Sequence, residues 1–246
     1  MKKFYDLHLS VPLSDFGLAE KMIRKAAALG YAGVGIPFPF NVPSETVSKL
    51  RQLCTDVGID LITRVNLAPK SSNELLFQLR RHRRRFEIIS VACWHKPVAR
   101  QAAKDRRVDL ITFPSLDFKE RFFDSAEAEL AANALALLEI DMFRLLSATS
   151  FERIRLLSYL RREVAIARKF SVPVVTSSNA TDEFFIRRPR DFAAFAYLFD
   201  MQLDAALETL SDNPLAIVTR NRMKLQPNYV APGLRVVRRG KDCGES

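Results

Sequence analysis

Hydrophobic and polar positions along the chain follow a repeated two-part pattern. Short runs rich in β-branched and other apolar residues are each followed by a stretch in which apolar residues recur every three or four positions, as expected of βα units around a parallel sheet. The short runs predict seven strands, at 4–8, 33–36, 60–65, 88–93, 110–113, 137–140 and 174–176. In the first gap Leu18, Met22, Ala26 and Leu29 make one apolar stripe, and Gly30 stands where a helix cap belongs. The clearest helix is predicted over 150–170. There Leu157, Leu160, Val164 and Ala167 share one face, and Arg155, Arg162 and Lys169 the opposite one. Only helical patterns follow the seventh strand, at 190–199, 204–210 and 214–224. The expected fold is therefore α/β, an irregular TIM-barrel-like parallel barrel of about seven strands with extra C-terminal helices. A doubly wound open sheet is the alternative, but residues 9–16 lack the glycine-rich turn that usually follows its first strand. One barrel-like domain is expected over 1–234, followed by a polar, basic and flexible tail over 235–246.

A chain of 246 residues, 48% hydrophobic, with only 8 glycines and 12 prolines, is long enough and apolar enough for one such barrel. Charge adds more: 38 Lys and Arg face 28 Asp and Glu, a net of +10. That excess attracts polyanions, with nucleic acid the leading partner. A membrane surface would call for a polybasic amphipathic helix or a lipidation signal, and neither is evident. Asp6, His8, Ser10 and Asp15 interrupt any signal-like apolar run after Met1-Lys2-Lys3. The widely spaced Cys54, Cys93 and Cys243 fit neither a disulfide framework nor a zinc site. A cytoplasmic location is expected.

Catalytic groups of a parallel barrel sit at the C-terminal ends of its strands. The first strand ends in Asp6-Leu7-His8-Leu9-Ser10, which resembles the Asp-x-His-x-His metal motif of the PHP (polymerase and histidinol phosphatase) phosphoesterases, with Ser10 in place of the second histidine. Leu138-Glu139-Ile140 resembles another PHP segment, whose glutamate bridges metals. The whole chain has three histidines, His8, His82 and His95, too few for a multinuclear site. Asp6, His8 and Glu139 are thus read as a vestigial polar pocket with no metal and no catalytic residue. A self-sufficient metal phosphoesterase using His8 and Glu139 is the alternative. No P-loop, GxSxG or HExxH motif is present, and Cys93 beside Trp94-His95 reads as core.

The sharpest charge feature is Arg80-Arg81-His82-Arg83-Arg84-Arg85 at a helix end. One or two arginines would complement the helix dipole, whereas five favour a phosphate-binding patch, since guanidinium forks match phosphate oxygens. Arg187, Arg188 and Arg190 form a second cluster and Arg220, Arg222 and Lys224 a third. With Arg155, Arg162 and Lys169 they make a dispersed footprint suited to a folded RNA. Candidate RNA contacts are Arg80, Arg81, Arg83, Arg84, Arg85, Arg155, Arg162, Lys169, Arg187, Arg188, Arg190 and Arg222.

Several segments in order carry a resemblance. These are SATSFERIRLLSYLRREVAIARKFSVPVVTSSNA over 147–180, Arg188-Pro189-Arg190-Asp191-Phe192-Ala193-Ala194, Asn213-Pro214-Leu215-Ala216-Ile217-Val218, Asn221-Arg222, the 229–237 segment YVAPGLRVV, and Phe4-Tyr5-Asp6-Leu7 at the front. Together they resemble the protein component 3 family of archaeal ribonuclease P, related to a eukaryotic subunit of ribonucleases P and MRP. The resemblance covers nearly the whole chain and is weakest over 37–137. Two positions depart from it: Asp141 stands where the family has asparagine, and Asn179 where glycine is common. The resemblance implies a PHP-like barrel and a place in the ribonucleoprotein that removes 5′ leaders from precursor tRNAs. There the ribonuclease P RNA is the catalyst and uses Mg²⁺, while this chain binds no cofactor. Implied partners are that RNA, ribonuclease P protein component 2 in a 2:2 heterotetramer, the other ribonuclease P proteins, and precursor tRNA as substrate. A scaffold that never touches RNA is a third possibility.

Overall fold

The seven apolar runs form seven strands that pair in chain order, all parallel. The computed structural model describes residues 2–231 and 234–236. Its strands are β1 (Phe4–Asp6), β2 (Tyr31–Pro37), β3 (Asp60–Leu67), β4 (Ile88–Ala92), β5 (Leu110–Thr112), β6 (Leu137–Asp141) and β7 (Val174–Ser177). Between them run α1 (Phe16–Ala28), α2 (Ser44–Asp56), α3 (Ser72–His82), α4 (Lys96–Lys104), α5 (Ser125–Ala134), α6 (Met142–Ser147) and α7 (Ser150–Lys169). After β7 come α8 (Pro189–Phe195), α9 (Leu203–Glu208), α10 (Asp212–Leu225) and a hairpin of β8 (Tyr229–Ala231) and β9 (Leu234–Arg235).

Local chemistry sets the helix limits. Asp15 caps α1, accepting from the Leu18 amide at 3.0 Å, and Gly30, at φ 92°, makes the exit turn that a side chain would resist. Thr149 and Glu152 form a capping box at the start of α7. Gly35 is required for another reason: a Cβ there would lie 2.3 Å from the Leu7 carbonyl oxygen, so only glycine lets β1 pass this close.

The period of two along each strand builds the barrel interior in two layers. Ile62, Ile88, Leu110, Leu137 and Val175 form an apolar layer with Tyr5 and Leu7. Two residues further along the same faces stand Arg64, Ser90, Glu139 and Ser177, all buried and polar. One end of the barrel is thus packed with hydrocarbon and the other with hydrogen-bonding groups.

No eighth strand completes the barrel among the described residues, in agreement with the sequence. Near the C-terminal ends the gap between β7 and β1 is bridged directly, by Leu9 against Ala180 and by Asn179 N to His8 O at 2.7 Å. Lower down the connection from α9 to α10 is the wedge. Leu210 O accepts from Tyr5 N at 2.7 Å, Thr209 O from Thr176 N at 3.2 Å, and the Asn213 amide donates to Val174 O at 2.8 Å. α10 then crosses the N-terminal end of the barrel, burying Ile217 and Val218 in the apolar layer. Its Asn221 donates to Glu87 O and to Asp109 Oδ1, each at 2.8 Å.

Several boundaries differ from the sequence reading. The helix expected over 190–199 turns into a 3-10 segment at Ala196–Phe199, the first strand ends at Asp6, and the β8–β9 hairpin has no strand-like alternation long enough to announce it. Arg235 of the expected 235–246 tail belongs to β9, while residues 237–246, Cys243 among them, lie outside the described residues.

Candidate nucleic-acid interface and barrel mouth

At the mouth, the C-terminal end of the strands, β3 supplies Arg64 and β6 supplies Glu139, each with a side chain 1% exposed. The guanidinium meets the carboxylate in a fork, at 2.5 and 2.7 Å, and donates further to Leu7 O at 2.9 Å and Asn66 Oδ1 at 2.6 Å. Glu139 also accepts from Ser177 at 2.6 Å and Ser90 at 3.0 Å. Although burial opposes its charge, the Arg64 cation and these donors hold Glu139 ionised, with its pKa lowered to about 2. His8 Nε2 lies 3.1 Å from the Asn66 amide nitrogen, and burial followed by the Arg64 charge lowers its pKa to about 3, so the ring is neutral. Asp6 accepts from the Ser178 amide at 3.0 Å and from the Ser178 hydroxyl, with burial raising its pKa to about 6.

These residues do not fit the metal centre that the resemblance to PHP phosphoesterases implies. Arg64 stands as the cation beside Glu139 and occupies both carboxylate oxygens. Among the described residues no group of three or more His, Cys, Asp or Glu side chains is placed to hold a metal. The mouth has the structure of a satisfied buried network.

The basic groups lie elsewhere. Arg80 and Arg81 end α3, Arg84 and Arg85 follow in the turn before β4, and all four are exposed at the N-terminal end of the barrel. Arg83 instead turns inward to Asp109 at 2.7 Å. On α7, Arg155 lies over the Phe151 ring at 4.4 Å, as Lys169 does over Phe170 at 5.5 Å. Arg162 covers Phe118 at 4.7 Å. Arg187 donates to the Phe184 carbonyl, and the exposed Arg188 and Arg190 start α8. Arg222 is bound by Asp60, at 2.7 and 3.0 Å, and by Glu87.

The family described as RNase P subunit p30 matches residues 3–226. The chain belongs to the RNase P subunit p30 family. Relatives named ribonuclease P protein component 3 include one from Methanococcoides burtonii, 28% identical over 235 residues, covering 96% of this chain and 94% of that protein. Another, from Methanosarcina mazei, is 28% identical with 96% of each chain covered. Among solved structures, a chain of an archaeal ribonuclease P determined with mature tRNA by cryo-EM superposes with a TM-score of 0.80 at 22% identity, covering 97% of this chain and all of that one, and so has the same barrel fold.

In this RNase P subunit p30 family member the two departures noted in the sequence meet: the Asn179 amide donates to Asp141 Oδ2 at 2.7 Å, and Asn179 Oδ1 accepts from Ser10 at 2.6 Å. Asn179 sits at φ 46°, a backbone region where glycine is at ease and asparagine is tolerated. Asp6, His8 and Glu139 do come together at the mouth, with Arg64 as the cation between them that sequence reasoning missed. Two of the expected RNA contacts, Arg83 and Arg222, instead spend their charge on buried or half-buried carboxylates that fasten α3 and α10 to the barrel. Arg106 and Arg107 precede β5 as other basic residues precede β4, and Arg107 is ion-paired with Asp105 at 2.7 Å.

Proposed function

We propose that this RNase P subunit supports the catalytic RNA by neutralising phosphates and performs no bond cleavage with its own side chains. The observation that carries the reading is the fork between Arg64 and Glu139, which fills the barrel mouth with an internal cation where a phosphoesterase would hold metal. The net charge of +10 supports the other half, because exposed arginines lower the repulsion between RNA phosphates that otherwise calls for Mg²⁺. The reaction served is removal of the 5′ leader from precursor tRNA, with Mg²⁺ held by the RNA. The closest protein partner in this reading is ribonuclease P protein component 2, in a 2:2 assembly, together with the other ribonuclease P proteins.

Reconstitution tests this. The chain alone should leave precursor tRNA intact, and adding it with component 2 to the ribonuclease P RNA should lower the Mg²⁺ needed for cleavage. Equal RNA activity with and without the pair would sink the reading, as would leader cleavage by the isolated chain that is lost in His8→Ala.

A further inference from the structure

At the N-terminal end of the barrel three separate chain segments enclose a cleft of about 460 Å³. The turn after α3 contributes Arg83 and Arg84, the turn before β5 contributes Arg106 and Arg107, and the end of α10 contributes Lys224, with Tyr229 also lining the cleft. The space admits a hydrated phosphate group. Two of the five cations are already neutralised and fixed as walls: Arg83 by Asp109 at 2.7 Å and Arg107 by Asp105 at 2.7 Å. The side chains of Arg84, Arg106 and Lys224 form no ion pair or hydrogen bond among the described residues.

The nearby carboxylates cannot supply the missing anion. Asp109 is fully buried and accepts from Ile89 N, Arg83, Arg220 and Asn221, and Asp105 is held by Arg107 in a two-point contact at 2.9 and 2.7 Å. Lys224 is half-buried and its pKa is lowered, first by burial, then by Arg220, with Arg83 and Arg106 adding to the effect and Asp109 opposing it. Like charges this close repel unless a counter-charge enters. The remaining wall is Leu225, Gln226, Pro227, Tyr229 and Val230, mostly apolar surface with an aromatic ring suited to a ribose or a base. Arginines beside a tyrosine are the recognition set of a nucleic-acid backbone, whereas an acidic peptide needs no ring to stack on.

We propose that this cleft seats backbone phosphates of an RNA, so that the subunit turns toward RNA the end of its barrel opposite the mouth. The inference rests on the reading of the chain as an RNA-binding RNase P subunit. It locates the contact that the sequence left dispersed and adds Arg106 and Lys224 to it. It also accounts for the exposed Arg80 and Arg81, which continue the positive rim along the last turn of α3.

The test compares the full chain, R84A/R106A/K224A, and a control K21A/K49A/R51A that removes equal charge from exposed positions on α1 and α2. Binding to the ribonuclease P RNA of the same organism is measured from low to moderate salt. Each lost phosphate contact reduces the slope of log affinity on log salt by about 0.7 to 0.9, so the cleft variant should be shallower by about 2 to 3 and the control unchanged. R106A alone, the milder change, should lose about one such step. In a parallel arm pyrophosphate should raise the Tm of wild type and control but not of the cleft variant. If wild type binds RNA with a steep slope that the cleft variant keeps, the proposal is overturned and the RNA-binding reading stands. Should the variant keep the slope but lose a protein subunit of the particle, the cleft belongs to a protein. If wild type itself shows no salt-dependent RNA binding, the broader reading is what has failed.

Discussion

Arg64 decides the chemistry of the barrel mouth, and its effect depends on Glu139 being ionised beside it. A buried pair of this kind resists loss of one member far more than loss of both, because a lone buried charge has nothing to replace its solvation. R64A should therefore lower unfolding free energy by about 3 to 5 kcal/mol, while R64M/E139L, which removes both charges and fills the space, should be much less destabilised. Urea unfolding of the three proteins checks this, and an R64A protein as stable as the double variant would show that the fork contributes nothing. Sequence reasoning reached Glu139 by its place at a strand end and passed over Arg64. The two lie 75 residues apart on strands that are not neighbours in the sheet, so only the closed barrel brings them to one point.

α10 substitutes for two missing features at the scale of elements. Its approach wedges into the gap between β7 and β1, and its body seals the barrel's N-terminal end. Asn221, fully buried, ties it to the Glu87 carbonyl and to Asp109, and truncating such a residue leaves both acceptors with one donor fewer. N221A should cost about 1 to 3 kcal/mol and speed amide exchange along α10 more than along β6. Unchanged exchange in α10 would mean that Ile217, Val218 and the Arg220 and Arg222 ion pairs hold the helix without Asn221. The pattern 214–224 read as a helix from its periodicity. Its role as a plug was hidden, because Arg222 on the same helix looks like any exposed arginine until Asp60 and Glu87 come within reach of it.

For the whole molecule the buried network links stability to pH in two opposed ways. His8, with its pKa lowered to about 3 against an ordinary value near ~6.5, is neutral when folded and takes up a proton on unfolding between those limits. Its contribution is complete above about pH 6.5 and is lost as pH falls toward 3. Glu139, lowered to about 2, behaves alike over a more acidic window, from roughly pH 4.3 down to 2. Asp6 and Asp141, raised to about 6, and Glu127, raised to about 7, act in the other sense. The folded state holds their protons, so the stability they give is present below about pH 4 and is lost as pH rises through 6 to 7. H8N isolates the first effect, since the carboxyls are common to both proteins. Relative to H8N, wild type should lose about 1.4 kcal/mol per pH unit on going from pH 6 to pH 4. Parallel stability curves for the two proteins would refute a neutral buried His8.

The seven-strand parallel barrel, the helices after it and the excess of positive charge were all fixed by local composition. A β-branched run or an amphipathic stripe commits its segment wherever that segment lies, and net charge is a sum that needs no geometry. Three histidines in the whole chain likewise bounded what metal chemistry was open to it. Which charges are free was decided by tertiary structure alone. Arg83 and Arg222 are consumed by carboxylates distant in sequence, Arg64 is taken up by Glu139 at the mouth, and Arg84, Arg106 and Lys224 come from two turns and the end of α10 to line one cleft. An arginine's function depends on the partner at its tip, and that partner is a property of the packed barrel rather than of the neighbouring residues.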